Sequence, residues 1–149
     1  MEEKRILIVD DDTIVLDTFK AILQSAGYIA DTAETGRDAL DKAEETYYNL
    51  ALLDIRLPDM EGIELLTQMH RLAPKMMKIM VTGYPSIGNT VDAINKGADA
   101  YVIKPVKPDD LLKVVEEKLK EQEEAEKMSE EKVAEWIENR VRKFAPDRL

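Results

Sequence analysis

The side chains best suited to chemistry are acids, one hydroxyl and one ammonium, each placed directly after a short apolar run. Asp10-Asp11-Asp12 follows Ile6-Leu7-Ile8-Val9, and Asp54 follows Leu50-Ala51-Leu52-Leu53. Thr82-Gly83 follows Ile79-Met80-Val81, and Lys104-Pro105 follows Ala100-Tyr101-Val102-Ile103. Clustered carboxylates raise one another's pKa unless a cation sits among them. With no cysteine and a single histidine, His70, the ligands on offer are oxygens. Oxygen ligands point to Mg²⁺, which keeps several waters and takes one or two carboxylates. Thr82 and Lys104 then stand ready for the oxygens of a phosphoryl group. The set describes a carboxylate nucleophile, a metal that gathers charge, and a lysine and hydroxyl that receive it.

Each piece alone has a plainer reading. Asp12 before Thr13-Ile14 suits a helix N-cap. An aspartate often ends a strand, Thr82-Gly83 is an ordinary turn pair, and Lys104 could be a surface ion-pair partner of small worth. The joint placement is what carries the signal, because ligands of an open parallel α/β sheet gather at the carboxyl ends of its strands.

The elements that must hold these residues are legible as alternation. Strands are predicted at 5–9, 28–30, 50–53, 78–81 and 100–103. The first, third and fourth are apolar without alternation, as in parallel strands covered on both faces. The second is more polar and belongs at an edge. Between the strands, Ile14, Leu16, Phe19, Ile22 and Leu23 recur at helical spacing. So do Ala39, Leu40 and Ala43, then Ile63, Leu65, Leu66 and Met69, then Val91 and Ile94. Gly27 and Gly97 stand where helix C-caps are wanted, and Pro108 suits the first turn of a fifth helix buried through Leu111, Leu112, Val115 and Leu119. Strict βα alternation gives a parallel sheet with right-handed crossovers and helices on both faces.

Composition closes off other classes. The chain has 149 residues, close to one domain, and 44% of them are apolar, enough for a core. A net charge of −10 disfavours nucleic acid and anionic membrane surfaces. No apolar run is long enough to span a bilayer and no secretory leader is seen, so a soluble cytoplasmic protein is expected. Lacking cysteine removes disulfides, thiol catalysis and thiolate metal sites. His70 falls on the third helix, away from the strand ends, and reads as a surface histidine.

In these stretches the sequence resembles the response-regulator receiver domains of two-component signalling. The matching residues are Ile6 to Asp12, Leu53-Asp54-Ile55-Arg56-Leu57-Pro58-Asp59-Met60-Glu61-Gly62, Val81-Thr82-Gly83-Tyr84, Gly97-Ala98-Asp99-Ala100-Tyr101 and Lys104-Pro105. They run in order from about residue 4 to 119. The resemblance implies a flavodoxin-like doubly wound sheet of five parallel strands, ordered 2-1-3-4-5. It implies that Asp54 is the phosphoacceptor, fed by a sensor histidine kinase or phosphotransfer protein, and that the chain switches shape to regulate an unnamed partner. Asp11, Asp54 and the backbone carbonyl of Arg56 would ligate Mg²⁺, with Asp10 acting through water. Lys104 would bind the phosphoryl group before a cis bond to Pro105, and Thr82 would swing toward it. Tyr101 would turn inward as the switch aromatic; from spacing alone it is a half-buried strand tyrosine. Arg56 and Tyr84, each two residues past a site residue, would tune the lifetime of the acyl phosphate. Such a protein catalyses only its own phosphorylation and dephosphorylation.

A rival class is the haloacid-dehalogenase type of aspartyl-phosphate hydrolase, whose nucleophile motif Asp10-Asp11-Asp12-Thr13 resembles. The chain is short for that enzyme, no acidic pair follows the fourth strand, and Asp54 with its continuation is left unexplained. The receiver is expected over 1–120 and a charged helical extension over 121–149. That extension is too short and acidic for a helix-turn-helix unit. Residues 121–127 read as a solvated continuation of the fifth helix. Ser129 before Glu130-Glu131 then reads as the N-cap of a last short helix, ended by Pro146. Val133, Trp136, Ile137, Val141 and Phe144 line one face of it, for packing on its own domain, on a second protomer or on the downstream target.

Overall fold

The computed structural model describes residues 3–144. Five strands, β1 (Arg5–Val9), β2 (Ile29–Ala33), β3 (Leu50–Asp54), β4 (Met77–Thr82) and β5 (Ala100–Ile103), alternate with helices α1 (Thr13–Ser25), α2 (Gly36–Glu45), α3 (Gly62–Leu72), α4 (Ile87–Asn95) and α5 (Pro108–Phe144). The strands form one sheet in the order β2-β1-β3-β4-β5, and every neighbouring pair is parallel. The chain divides into two compact units between Leu119 and Lys120.

Side chains of the central strands serve two cores in turn, which is why these runs lack polar alternation. Ile6, Ile8, Leu50, Leu52, Ile79 and Val81 meet Leu16, Phe19 and Leu23 of α1 and Leu111, Val115 and Leu119 of α5. Leu7, Val9, Ala51, Leu53 and Met80 meet Ala39 of α2, Leu65, Leu66 and Met69 of α3, and Ala93 of α4. Helix ends follow local chemistry: Asp12 caps α1 through Ile14 and Val15, and Gly27 and Gly97 carry φ of 92° and 109° just past α1 and α4. The plain reading of Asp12 therefore holds.

Several expectations need correction. Strand β2 covers Ile29–Ala33, beyond the predicted 28–30, because its register with β1 keeps Asp31 and Thr32 paired. The polar Asp31 is accommodated by the Arg5 guanidinium at 3.1 Å and the Tyr48 hydroxyl at 2.7 Å. In α4 the apolar residues that signalled the helix point outward: Val91 is 51% and Ile94 60% exposed, while small Ala93 makes the buried contact. Ile14 is likewise exposed, and Leu16, Phe19 and Leu23 do the packing of α1. No separate helix begins at Ser129. Helix α5 runs unbroken because nothing from Asp109 to Phe144 is glycine or proline, and Glu, Lys, Gln, Ala and Met favour the helix. Val133, Trp136, Ile137 and Val141 are exposed on it; the Phe144 side chain and Pro146 lie outside the described residues. Among the described residues, no helix is long and apolar enough to cross a membrane.

Candidate functional site

The register brings the strand ends together. Val9 pairs with Leu53 and Asp54 with Val81, so the residues following β1, the last residue of β3 and the end of β4 share one edge. Asp10, Asp11 and Asp54 each present a carboxylate oxygen within 4.8 Å of the others. Asp10 and Asp54 are buried, and Asp11 is exposed at the mouth. Lys104 Nζ donates to Asp10 Oδ2 at 2.6 Å and lies 3.6 Å from Asp54 Oδ1. The bond from Lys104 to Pro105 is cis.

Backbone donors fix the acids in place. The Asp12 N–H donates to Asp10 Oδ1 at 2.9 Å, and the Ile55 N–H donates to Asp54 Oδ1 at 2.9 Å. Burial, then the neighbouring charge of Asp10, pushes the Asp54 pKa up to about 6; Lys104 and the Ile55 N–H offset only part of this. Burial works against the Lys104 ammonium, but the Asp10 hydrogen bond and the charges of Asp10 and Asp54 outweigh it and hold its pKa above the usual lysine value. One ammonium thus faces three carboxylates. An all-oxygen donor set with unbalanced negative charge and one exposed member fits a hard divalent cation of the Mg²⁺ kind.

Thr82 ends β4 fully buried, and its Oγ1 accepts the Tyr84 N–H at 2.9 Å. The Lys104 N–H donates to the Thr82 carbonyl at 2.8 Å, which ties the ends of β4 and β5. The Arg56 guanidinium stacks on the Tyr84 ring at 4.1 Å from its centroid, joining the loops after β3 and β4. Tyr101 is half-buried in β5, and its hydroxyl is closed off from solvent with no hydrogen-bond partner among the described residues. His70 is exposed on α3, apart from the acids, beside Gly97.

Two contributors were not singled out from the sequence. Asp59 spreads its carboxylate over the first turn of α2, accepting the N–H groups of Gly36 and Arg37 at 2.9 Å each. Those two bonds, Gly36 first, hold its pKa below the usual carboxylate value. The loop after Asp54 is thereby pinned to a helix more than twenty positions earlier, a separation that local pattern does not reveal. Gly62 is the other. A Cβ there would stand 2.1 Å from the Asp54 carbonyl oxygen and 2.6 Å from Ile55 Cα. Glycine alone lets α3 start against the backbone of the central acid, where the Gly62 N–H donates to the Ile55 carbonyl at 2.7 Å.

Residues 6–116 match the response regulator receiver domain family, and the chain belongs to that family. It is similar to the alginate biosynthesis transcriptional regulatory protein AlgB of Pseudomonas putida, with 39% identity over 107 residues, 72% of this chain and 24% of that protein. It is also similar to the transcriptional regulatory protein ZraR of Escherichia coli K12, with 36% identity over 114 residues, 76% of this chain and 26% of that protein. The chain therefore spans about a quarter of the length of the curated relatives it matches. Among solved structures, a CheY-like receiver domain protein of Methanospirillum hungatei JF-1 is 56% identical with a TM-score of 0.82, over 83% of this chain and 99% of that one. The beryllofluoride-activated NtrC4 receiver domain dimer is 32% identical with a TM-score of 0.76, over 79% of this chain and 98% of that one. The domain is thus a two-component response-regulator receiver with the CheY-like fold and order 2-1-3-4-5.

Proposed function

We propose that this receiver accepts a phosphoryl group on Asp54 from a phosphohistidine of a sensor kinase or phosphotransfer protein, in the cytoplasm, and changes shape to regulate a partner. The observation that carries the reading is the meeting of Asp10, Asp11 and Asp54 within 4.8 Å of one another opposite the Lys104 ammonium. An Asp54 oxygen attacks phosphorus, the phosphorus–nitrogen bond of the donor breaks, and the imidazole leaves with the electron pair. Asp54 must be ionised to attack, and its raised pKa means that cation binding and Lys104 both help to hold it so. Asp11, Asp54 and the Arg56 carbonyl would hold Mg²⁺ directly, with Asp10 acting through water. Bound there, Mg²⁺ supplies the charge neutralisation that in-line phosphoryl transfer needs. Lys104, freed from Asp10 as negative charge arrives, takes one phosphoryl oxygen.

Thr82 gives the switch its first step. Its hydroxyl, now accepting from Tyr84, would turn to donate to a phosphoryl oxygen and vacate space toward Tyr101. Arg56 and Tyr84, stacked over the loops that flank Asp54, would govern how readily water reaches the acyl phosphate. The test is stoichiometric labelling by a small phosphodonor such as phosphoramidate, with and without Mg²⁺. One phosphoryl group per chain is expected only with Mg²⁺, and none in Asp54→Ala. Equal incorporation in Asp54→Ala, or catalytic turnover of a phosphate ester, would defeat this reading in favour of a hydrolase.

A further inference from the structure

The segment between β3 and α3 is a miniature hairpin, closed on itself and tied at its tip to a distant helix. Arg56 and Glu61 face one another in antiparallel register. The bonds that close the hairpin lie on either side of them. The Gly62 N–H donates to the Ile55 carbonyl at 2.7 Å, and the Leu57 N–H donates to the Met60 carbonyl at 3.2 Å. In such a pair neither central residue uses its own N–H or carbonyl in the ladder. The Arg56 carbonyl is thereby left for another use, two residues past Asp54. At the base, Gly62 leaves no room for a side chain against the Asp54 carbonyl, which seats the hairpin on the end of β3.

The tip is held by Asp59. Its side chain is exposed, yet both carboxylate oxygens are engaged, Oδ1 by the Gly36 N–H and Oδ2 by the Arg37 N–H, at 2.9 Å each. These are the first two N–H groups of α2, which have no partner inside the helix. The next two are satisfied locally. Asp38 donates to Thr35 Oγ1 at 3.0 Å, and Ala39 donates to the Thr35 carbonyl at 3.1 Å. Thr35 therefore caps α2 already, and Asp59 adds a tie between that helix and the hairpin. Met60 packs the same junction, since a Cβ on Gly36 would stand 2.4 Å from Met60 Sδ.

We propose that Asp59 is a positioning residue for the metal: by holding the hairpin tip, it fixes where the Arg56 carbonyl stands relative to Asp11 and Asp54. This rests on the reading of Asp11, Asp54 and the Arg56 carbonyl as Mg²⁺ ligands. Mg²⁺ demands near-ideal octahedral geometry, so a loop carbonyl serves it only when the loop is kept still. Groups that orient a ligand without touching the ion carry a measurable share of the affinity.

The test reads the metal directly, by following the ¹³C resonance of the Arg56 carbonyl by NMR as MgCl₂ is added. Four full-length proteins are compared: the unmodified chain, Asp59→Ala, Asp59→Asn and Glu61→Gln. The asparagine keeps one oxygen acceptor. Glu61→Gln removes the same charge from the same loop, where the Glu61 side chain makes no capping bond. Asp59→Ala should need roughly tenfold more Mg²⁺ to reach half-saturation. Asp59→Asn should fall between it and the unmodified chain, and Glu61→Gln should titrate like the unmodified chain. An unchanged midpoint in Asp59→Ala would make Asp59 a helix cap alone and overturn the proposal. An equal loss in Glu61→Gln would overturn it too, by assigning the effect to charge. Should Asp59→Ala fail to fold, an unchanged midpoint in Asp59→Asn overturns it by itself. An Arg56 carbonyl that ignores Mg²⁺ in the unmodified chain would overturn the ligand reading and the proposal together, whereas a responsive carbonyl with one common midpoint overturns the proposal only.

Discussion

Asp54 ends β3 with its carboxylate buried beside that of Asp10, so its ionised form is less favourable than in an ordinary aspartate even with Lys104 3.6 Å away. Its folded pKa of about 6 exceeds the ordinary 3.8. Between those values the folded chain binds more protons than the unfolded one, so stability falls as pH rises through the window and the penalty is complete above it. A shift of this size corresponds to about 3 kcal/mol. Asp54→Asn should therefore stabilise the metal-free protein at neutral pH by about 1–3 kcal/mol, and the gain should vanish below about pH 4. Urea unfolding at both pH values measures it, and a variant no more stable than the parent at neutral pH contradicts the assignment. Asp11 gives a second prediction, because it is the exposed member of the acid cluster. Losing even an outer partner of a metal site costs about 10–100-fold in affinity, so Asp11→Ala should weaken Mg²⁺ binding at least that much by calorimetric titration. Unchanged affinity would remove Asp11 from the ligand set. The acids and Lys104 were legible because apolar strand runs announce where the sheet ends. The use of Thr82 by the Tyr84 N–H was not, since a hydroxyl's partner depends on loop geometry that residue types do not encode.

At the scale of elements, the site depends on the start of α3, pressed against the end of β3. Gly62 starts α3 so close to Asp54 that a methyl group has no room against backbone atoms. Gly62→Ala should destabilise the fold by about 1–3 kcal/mol, and it should slow phosphorylation of Asp54 by displacing the carboxylate. Thermal unfolding and labelling rate check this together; a variant with unaltered stability and rate would show that the loop yields freely. The glycine was visible in the motif, but its reason was not, because the clash is with backbone eight positions earlier. Pattern also did not say which residues of α4 face the core. Val91 and Ile94 gave the helix away by periodicity, yet Ala93 makes the core contact and they remain exposed. Periodicity shows that a face exists without saying which side the sheet lies on. The unbroken α5 shows the opposite failure, in which Ser129 carried a good capping signal that an uninterrupted run of helix formers overrode.

For the molecule as a whole, the proposed switching would require an event at Asp54 to bias the far side of the receiver unit, which needs differential contacts in two states. Tyr101 carries a visible asymmetry: its hydroxyl is buried without a partner among the described residues. Beryllofluoride, as a phosphoryl mimic, should shift NMR signals at Thr82 and Tyr101 and extend into α4. Shifts confined to the strand ends would leave the receiver without a switch. The central claim, that Asp54 rather than Asp10 is the phosphoacceptor, has a more direct test. After labelling with phosphoramidate and Mg²⁺, borohydride reduction converts the acyl phosphate carbon to an alcohol, and peptide mass spectrometry locates the reduced residue. Reduction at Asp54 alone is the predicted result, whereas reduction at Asp10 would contradict it and place the nucleophile at the end of β1.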